Sequence, residues 1–93
     1  MPEGPFGAPR PLAACNFTIE AHGPFARGRS QERSLKYEDE VRSKLALNVD
    51  VVEQNGVMKY VIREDRININ TWNEMLNMVR EQTKSNDLYV GVE

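Results

Sequence analysis

The sequence predicts an α+β domain, an antiparallel sheet carrying its helices on one face. Three observations lead there. Asn55-Gly56 separates two apolar, β-rich runs, 45–54 and 57–63. Such a pair is the strongest short-range hairpin signal, because a type I′ turn needs positive φ at both central residues. Trp72, Met75, Leu76 and Val79 recur at i, i+3, i+4 and i+7, which is one face of a helix. Alternation at 13–21 and β-forming composition at 88–92 add a strand at each end.

Residues 1–11 hold Pro2, Pro5, Pro9 and Pro11 with Gly4 and Gly7. Proline offers no amide to a ladder or helix, so residues 1–12 are expected to form a flexible tail and 13–93 a single α+β domain. From Ala13 to Ala21, Cys15, Phe17, Ile19 and Ala21 fall on one side and Asn16, Thr18 and Glu20 on the other, the pattern of a half-buried strand. Residues 22–30 read as a loop from Gly23, Pro24 and Gly28. Residues 34–45 read as a helix. Ser34 would cap it, Glu38–Arg42 and Glu40–Lys44 are i, i+4 pairs in the favourable order, and Leu35, Val41 and Leu45 supply a thin apolar face. The competing reading extends the next strand through Tyr37 to Ser43.

A two-residue hairpin loop sets Gln54 opposite Val57, Glu53 opposite Met58, Val51 opposite Tyr60, Val49 opposite Ile62 and Leu47 opposite Glu64. Leu47, Val49, Val51, Met58, Tyr60 and Ile62 then share one face. A one-residue slip would mix apolar with polar sets, so turn and pattern agree. After an extended link, Ile67 to Asn70, Thr71 and Glu74 fit a capping box and start a helix near Trp72. Its apolar stripe is expected to roof the hairpin, each large side chain contributing roughly 1.5–3 kcal/mol on burial. In the last strand Leu88, Val90 and Val92 are expected to face inward and Tyr89 outward. The order strand, helix, strand, strand, helix, strand is the split βαβ, or ferredoxin-like, arrangement. Without the first helix, a β-ββ-α-β single-layer sheet with one helix remains.

Composition narrows function by exclusion. Ninety-three residues, 40% hydrophobic and 28% charged, with a net charge of −2, describe an ordinary single domain with no overall attraction to nucleic acid or anionic membrane. No apolar run approaches about 18 residues, so no membrane span is expected. The start, Met1-Pro2-Glu3, lacks a secretory pattern. Cys15 is the one cysteine, which excludes an internal disulfide and a multi-cysteine metal site. A cytoplasmic setting is the expectation, with the Asn16-Phe17-Thr18 sequon unused. His22 has no second histidine near metal-binding spacing. Glu38, Asp39 and Glu40 diverge on a helix, and Met58, Met75 and Met78 read as core filling. No catalytic residue, metal or cofactor is therefore expected.

Met1 to Pro5 resembles the start of Nei-type DNA glycosylases, in which the proline amine is the nucleophile and the next glutamate assists. Pro2 and Glu3 match; Phe6 departs from that family's glutamate, and nothing downstream matches. No glycosylase chemistry is assigned on five residues. The expected topology is also similar to that of acylphosphatases, which hold phosphate with an arginine in the loop after their first strand. Gly23 to Ser30 occupies that place and contains Arg27 and Arg29, without the family's loop signature. An acylphosphatase-like hydrolase is thus one reading. RNA-reading RRM domains stack bases on aromatics of the third strand, where this chain has only Tyr60, on its inward face.

The leading expectation is a small non-enzymatic interaction module, a regulator, inhibitor or subunit. It would bind a protein partner or a second copy through a free sheet edge. The alternative is nucleic-acid or phosphate binding through 27–36, where Arg27, Arg29, Arg33 and Lys36 face a single anion, Glu32.

Overall fold

A computed structural model describes residues 16–22 and 30–92. They form β1 (Phe17–His22), α1 (Ser30–Leu45), β2 (Val49–Gln54), β3 (Val57–Ile62), α2 (Ile69–Thr83) and β4 (Asp87–Val92). The four strands make one sheet in the order β2-β3-β1-β4, antiparallel at every pairing. This is the ferredoxin-like order, with β3 between β1 and β2 and β1 between β3 and β4.

The hairpin register is the one the turn dictates. Val49 lies opposite Ile62, Val51 opposite Tyr60 and Gln54 opposite Val57. Asn55 and Gly56 both take positive φ, 53° and 81°, as a type I′ turn demands. Val49, Met58, Tyr60 and Ile62 are buried with Ile19 and Ala21 of β1, Val41 of α1, and Met75 and Val79 of α2. Both helices therefore lie on this one face. Phe17, Trp72, Leu76 and Met78 pack around the core's margin.

Several boundaries differ from the sequence expectation. The first helix begins four residues early, at Ser30, so Ser34 is not its cap but a buried residue of its second turn. There its hydroxyl donates to Met58 Sδ at 3.7 Å. The inward face of α1 runs through Ser34, Tyr37, Val41 and Leu45, and Leu35 is 57% exposed. The second helix starts at Ile69, capped by Asn68, whose Oδ1 accepts from Asn70 N at 2.7 Å. Thr71 lies within the helix. In β4 the inward set is incomplete: Leu88 is half-buried, but Val90 and Val92 are 59% and 67% exposed. The reason is placement. Helix α1 lies over β2 and α2 over β1, leaving β4 largely uncovered. The expected tail, 1–12, and residues 13–15 of the expected first strand, Cys15 among them, lie outside the described residues.

Candidate functional site

A sheet of this order has two edge strands, β2 and β4, and their treatment is opposite. The phase of β2 follows from Arg63 N donating to Asn48 O at 2.7 Å. Antiparallel strands alternate between residues that bond across and residues that point away. Asp50 and Val52 thus bond toward β3, while Val49 and Val51 direct their amides and carbonyls outward. Helix α1 bonds to two of these groups. Val51 N donates to Glu38 Oε1 at 3.0 Å, and Arg42 Nε donates to Val49 O at 2.9 Å. Arg42 is held by Asp50 at 3.1 Å and by Glu38 at 3.6 Å. Next along the edge, Arg33 pairs with Glu53 at 2.6 Å, both side chains mostly buried. This edge is closed by charged side chains, a common defence of a free strand.

The same alternation, carried through β3 and β1, fixes the phase of β4. Tyr60 and Ile62 bond toward Ile19 and Phe17, so Thr18, Glu20 and His22 bond toward β4. Their partners are Gly91, Tyr89 and Asp87. The strand's first residue agrees: Asp87 N donates to Ser85 Oγ at 3.1 Å, and that hydroxyl donates to the carbonyl of His22. Leu88, Val90 and Val92 consequently turn their amides and carbonyls away from the sheet. Among the described residues, none bonds to those groups.

The surroundings of this open edge are apolar on the helix side. Val92 lies opposite Phe17, whose ring meets Trp72 with centroids 6.0 Å apart and planes at 57°. Ile69, one turn before Trp72, is 66% exposed. Val90 and Val92 thus extend an apolar row with Phe17 and Trp72 along β4. On the other face Tyr89, 57% exposed, meets His22 edge-on at 4.7 Å. The Tyr89 phenol titrates above its ordinary range because it bonds to Asp87 and lies beside that charge. Gly91 leaves bare backbone beside Thr18: a Cβ there would come within 3.3 Å of its Oγ1.

Of the basic residues singled out in the sequence, Arg33 is turned to Glu53 and Lys36 is exposed on α1. Residues 30–36 are helix rather than loop. Arg27 and Arg29, and the 23–29 loop compared with acylphosphatases, lie outside the described residues. Tyr60, the aromatic of β3, is fully buried. His22 has Glu20 at 3.7 Å, and no group of three metal-ligating side chains occurs among the described residues. No described helix is long and apolar enough to cross a membrane.

An open groove of about 760 Å³ separates the helices, lined by Lys36, Asp39, Lys44, Glu81 and Lys84 with Tyr37 and Gln82 at its floor. Beneath it Gln82 joins three elements. Its Oε1 accepts from Tyr60 Oη at 2.7 Å, and its Nε2 donates to Tyr37 O at 3.2 Å and to Glu40 Oε1 at 2.9 Å. The sequence reading missed this network. Its signal was Tyr60 itself, since a buried phenol needs a partner. The groove mixes both charge signs, whereas the β4 edge joins unpaired backbone to exposed apolar side chains. No protein-family model matches the chain, and no curated protein matches it.

Proposed function

We propose that this protein is a non-enzymatic interaction module that binds protein by adding a strand to β4. The observation that carries this reading is the contrast between the edges. Glu38 and Arg42 hold Val51 N and Val49 O on the outward side of β2, while among the described residues none bonds to the outward backbone of β4, where Val90 and Val92 are more than half exposed. Strand addition draws affinity from main-chain hydrogen bonds and specificity from alternate side chains. Here the helix-side strip would take apolar residues of the incoming strand, and the Tyr89 side would set what passes on the other face.

Val90→Pro tests it. Proline removes an amide that points away from β1, so the native ladder keeps its bonds while the edge loses a donor. Affinity capture from the native host is compared for wild type and Val90→Pro, followed by amide exchange on the captured complex. A protein, or the chain itself, retained by wild type, lost on Val90→Pro and protecting the Leu88, Val90 and Val92 amides is the expected result. Capture unaffected by the substitution would remove β4 from the reading.

A further inference from the structure

We infer that the strand received by β4 is the β4 of a second copy, giving a two-fold dimer with Val90 on the axis. This deepens the edge-binding reading and rests on it.

Outward backbone is carried by Leu88, Val90 and Val92, an odd set centred on Val90. Among antiparallel registers of two such strands, the one with Val90 opposite Val90 bonds all three residues on each side, Leu88 meeting Val92 of the other copy. A shift by two residues leaves only two bonded pairs. In the centred register Tyr89 falls opposite Gly91 of the second copy, twice. These are non-hydrogen-bonded positions, where facing side chains come closest. The 57% exposed ring of Tyr89 thus gains a position with no side chain, and aromatic rings covering an edge glycine are a known register-setting device.

A two-fold axis normal to the sheet keeps both sets of helices on one side. Leu88, Val90 and Val92 of both copies then form one apolar strip. Three strand spacings of about 4.8 Å separate β1 from its counterpart, about 14 Å. Helices in contact pack at about 8–10 Å, so the two α2 helices would flank the strip without clashing. Trp72 of each copy, packed on Phe17, would close it from either side. The assembly ends at two. Once β4 is used, the remaining edge of each copy is β2, where Glu38 and Arg42 hold Val51 N and Val49 O and the Arg42–Asp50 and Arg33–Glu53 pairs line the strand. The interface is therefore isologous and closed, and the sheet has eight strands, within the usual range.

The test combines mass, a blocked edge and a register-specific cross-link. Light scattering at about 100 µM is expected to give twice the 10.6 kDa chain mass, and Val90→Pro to give the single mass with unchanged circular dichroism. In a Cys15→Ser background, Val90→Cys is expected to cross-link under mild oxidation at least about tenfold faster than Val52→Cys. Bonded antiparallel partners lie about 5.5 Å apart at Cα, within disulfide reach, whereas Val52, 39% exposed, lies on the opposite edge strand. A monomer whose Leu88, Val90 and Val92 amides exchange fast overturns self-pairing and leaves strand addition by another protein standing. A monomer in which those amides are protected places the chain's own residues there and overturns both. A dimer indifferent to Val90→Pro, with Val90→Cys no faster than Val52→Cys, overturns the β4 interface.

Discussion

Gln82 shows how much one side chain can hold when a buried hydroxyl depends on it. Tyr60 is fully buried and its phenol has the Gln82 amide oxygen at 2.7 Å. Gln82→Ala leaves that phenol without a partner, a loss of about 1–3 kcal/mol. Tyr60→Phe removes the donor and leaves a half-buried amide that water can reach, a loss nearer 1 kcal/mol. Urea midpoints are therefore expected to fall further for Gln82→Ala than for Tyr60→Phe; the reverse order would mean the amide is not the phenol's partner. The same burial raises the phenol's pKa, with the Tyr37 and Glu40 charges adding to it. The unfolded phenol ionises near its ordinary value of 10.0 while the folded one keeps its proton. Stability from this group is thus complete below pH 10.0 and declines as pH rises above it. Tyr37, raised chiefly by burial, acts in the same direction. Unfolding titrations at pH values on either side of 10.0 are expected to show an alkaline loss that Tyr60→Phe reduces.

At the scale of elements, the hairpin was legible because local chemistry decides it: Asn55-Gly56 fixes the turn, and the turn fixes which side chains meet. The start of α2 was less legible because two polar residues compete for one role. Thr71 with Glu74 reads as the helix entry, but the structure caps the helix earlier, at Asn68, with Trp72 N donating to Asn68 O at 2.9 Å. Asn68→Ala is accordingly expected to lower stability by about 1 kcal/mol. Thr71→Ala, an interior exchange toward a better helix former, should change it by only a few tenths. A larger loss at Thr71 would return the cap to it. The pairing of Glu38 with Arg42 was read from i, i+4 spacing as a helix surface pair; the 3.6 Å contact exists, but both side chains act on the backbone of β2. That role depends on where α1 comes to rest, which no local pattern states. Glu38→Ala is expected to speed exchange of the Val51 amide about tenfold, the loss of one hydrogen bond, while Met58 and Tyr60 amides keep their rates.

For the molecule as a whole, the decisive feature is that two helices cover fewer strands than the sheet contains. Leu88-Tyr89-Val90-Gly91-Val92 has the composition of a strand whether central or at an edge, so the sequence supported its existence and not its exposure. What separates the cases is the core. Tyr60, Ile62, Ile19 and Met58 lie under the helices with no exposed surface, and burial falls away toward β4, where Val92 retains 67% of its surface. Hydrogen exchange should therefore show two patterns at once. Across the sheet, protection is expected to be greatest in β3 and β1, where opening must break the core. Along β4 it is expected to alternate. Tyr89 and Gly91 direct their amides to β1 and should exchange slowly, whereas Leu88, Val90 and Val92 direct theirs outward and should exchange fast in dilute solution. Raising the protein concentration is expected to slow only the second set, because association protects a folded state by mass action. The phase of this alternation follows from the Arg63 N to Asn48 O bond, carried across the sheet by its registers to the pairings of Thr18 with Gly91 and Glu20 with Tyr89. If Tyr89 and Gly91 were the fast pair, β4 would present the other set of backbone groups, and the incoming strand would have to meet it one residue out of step.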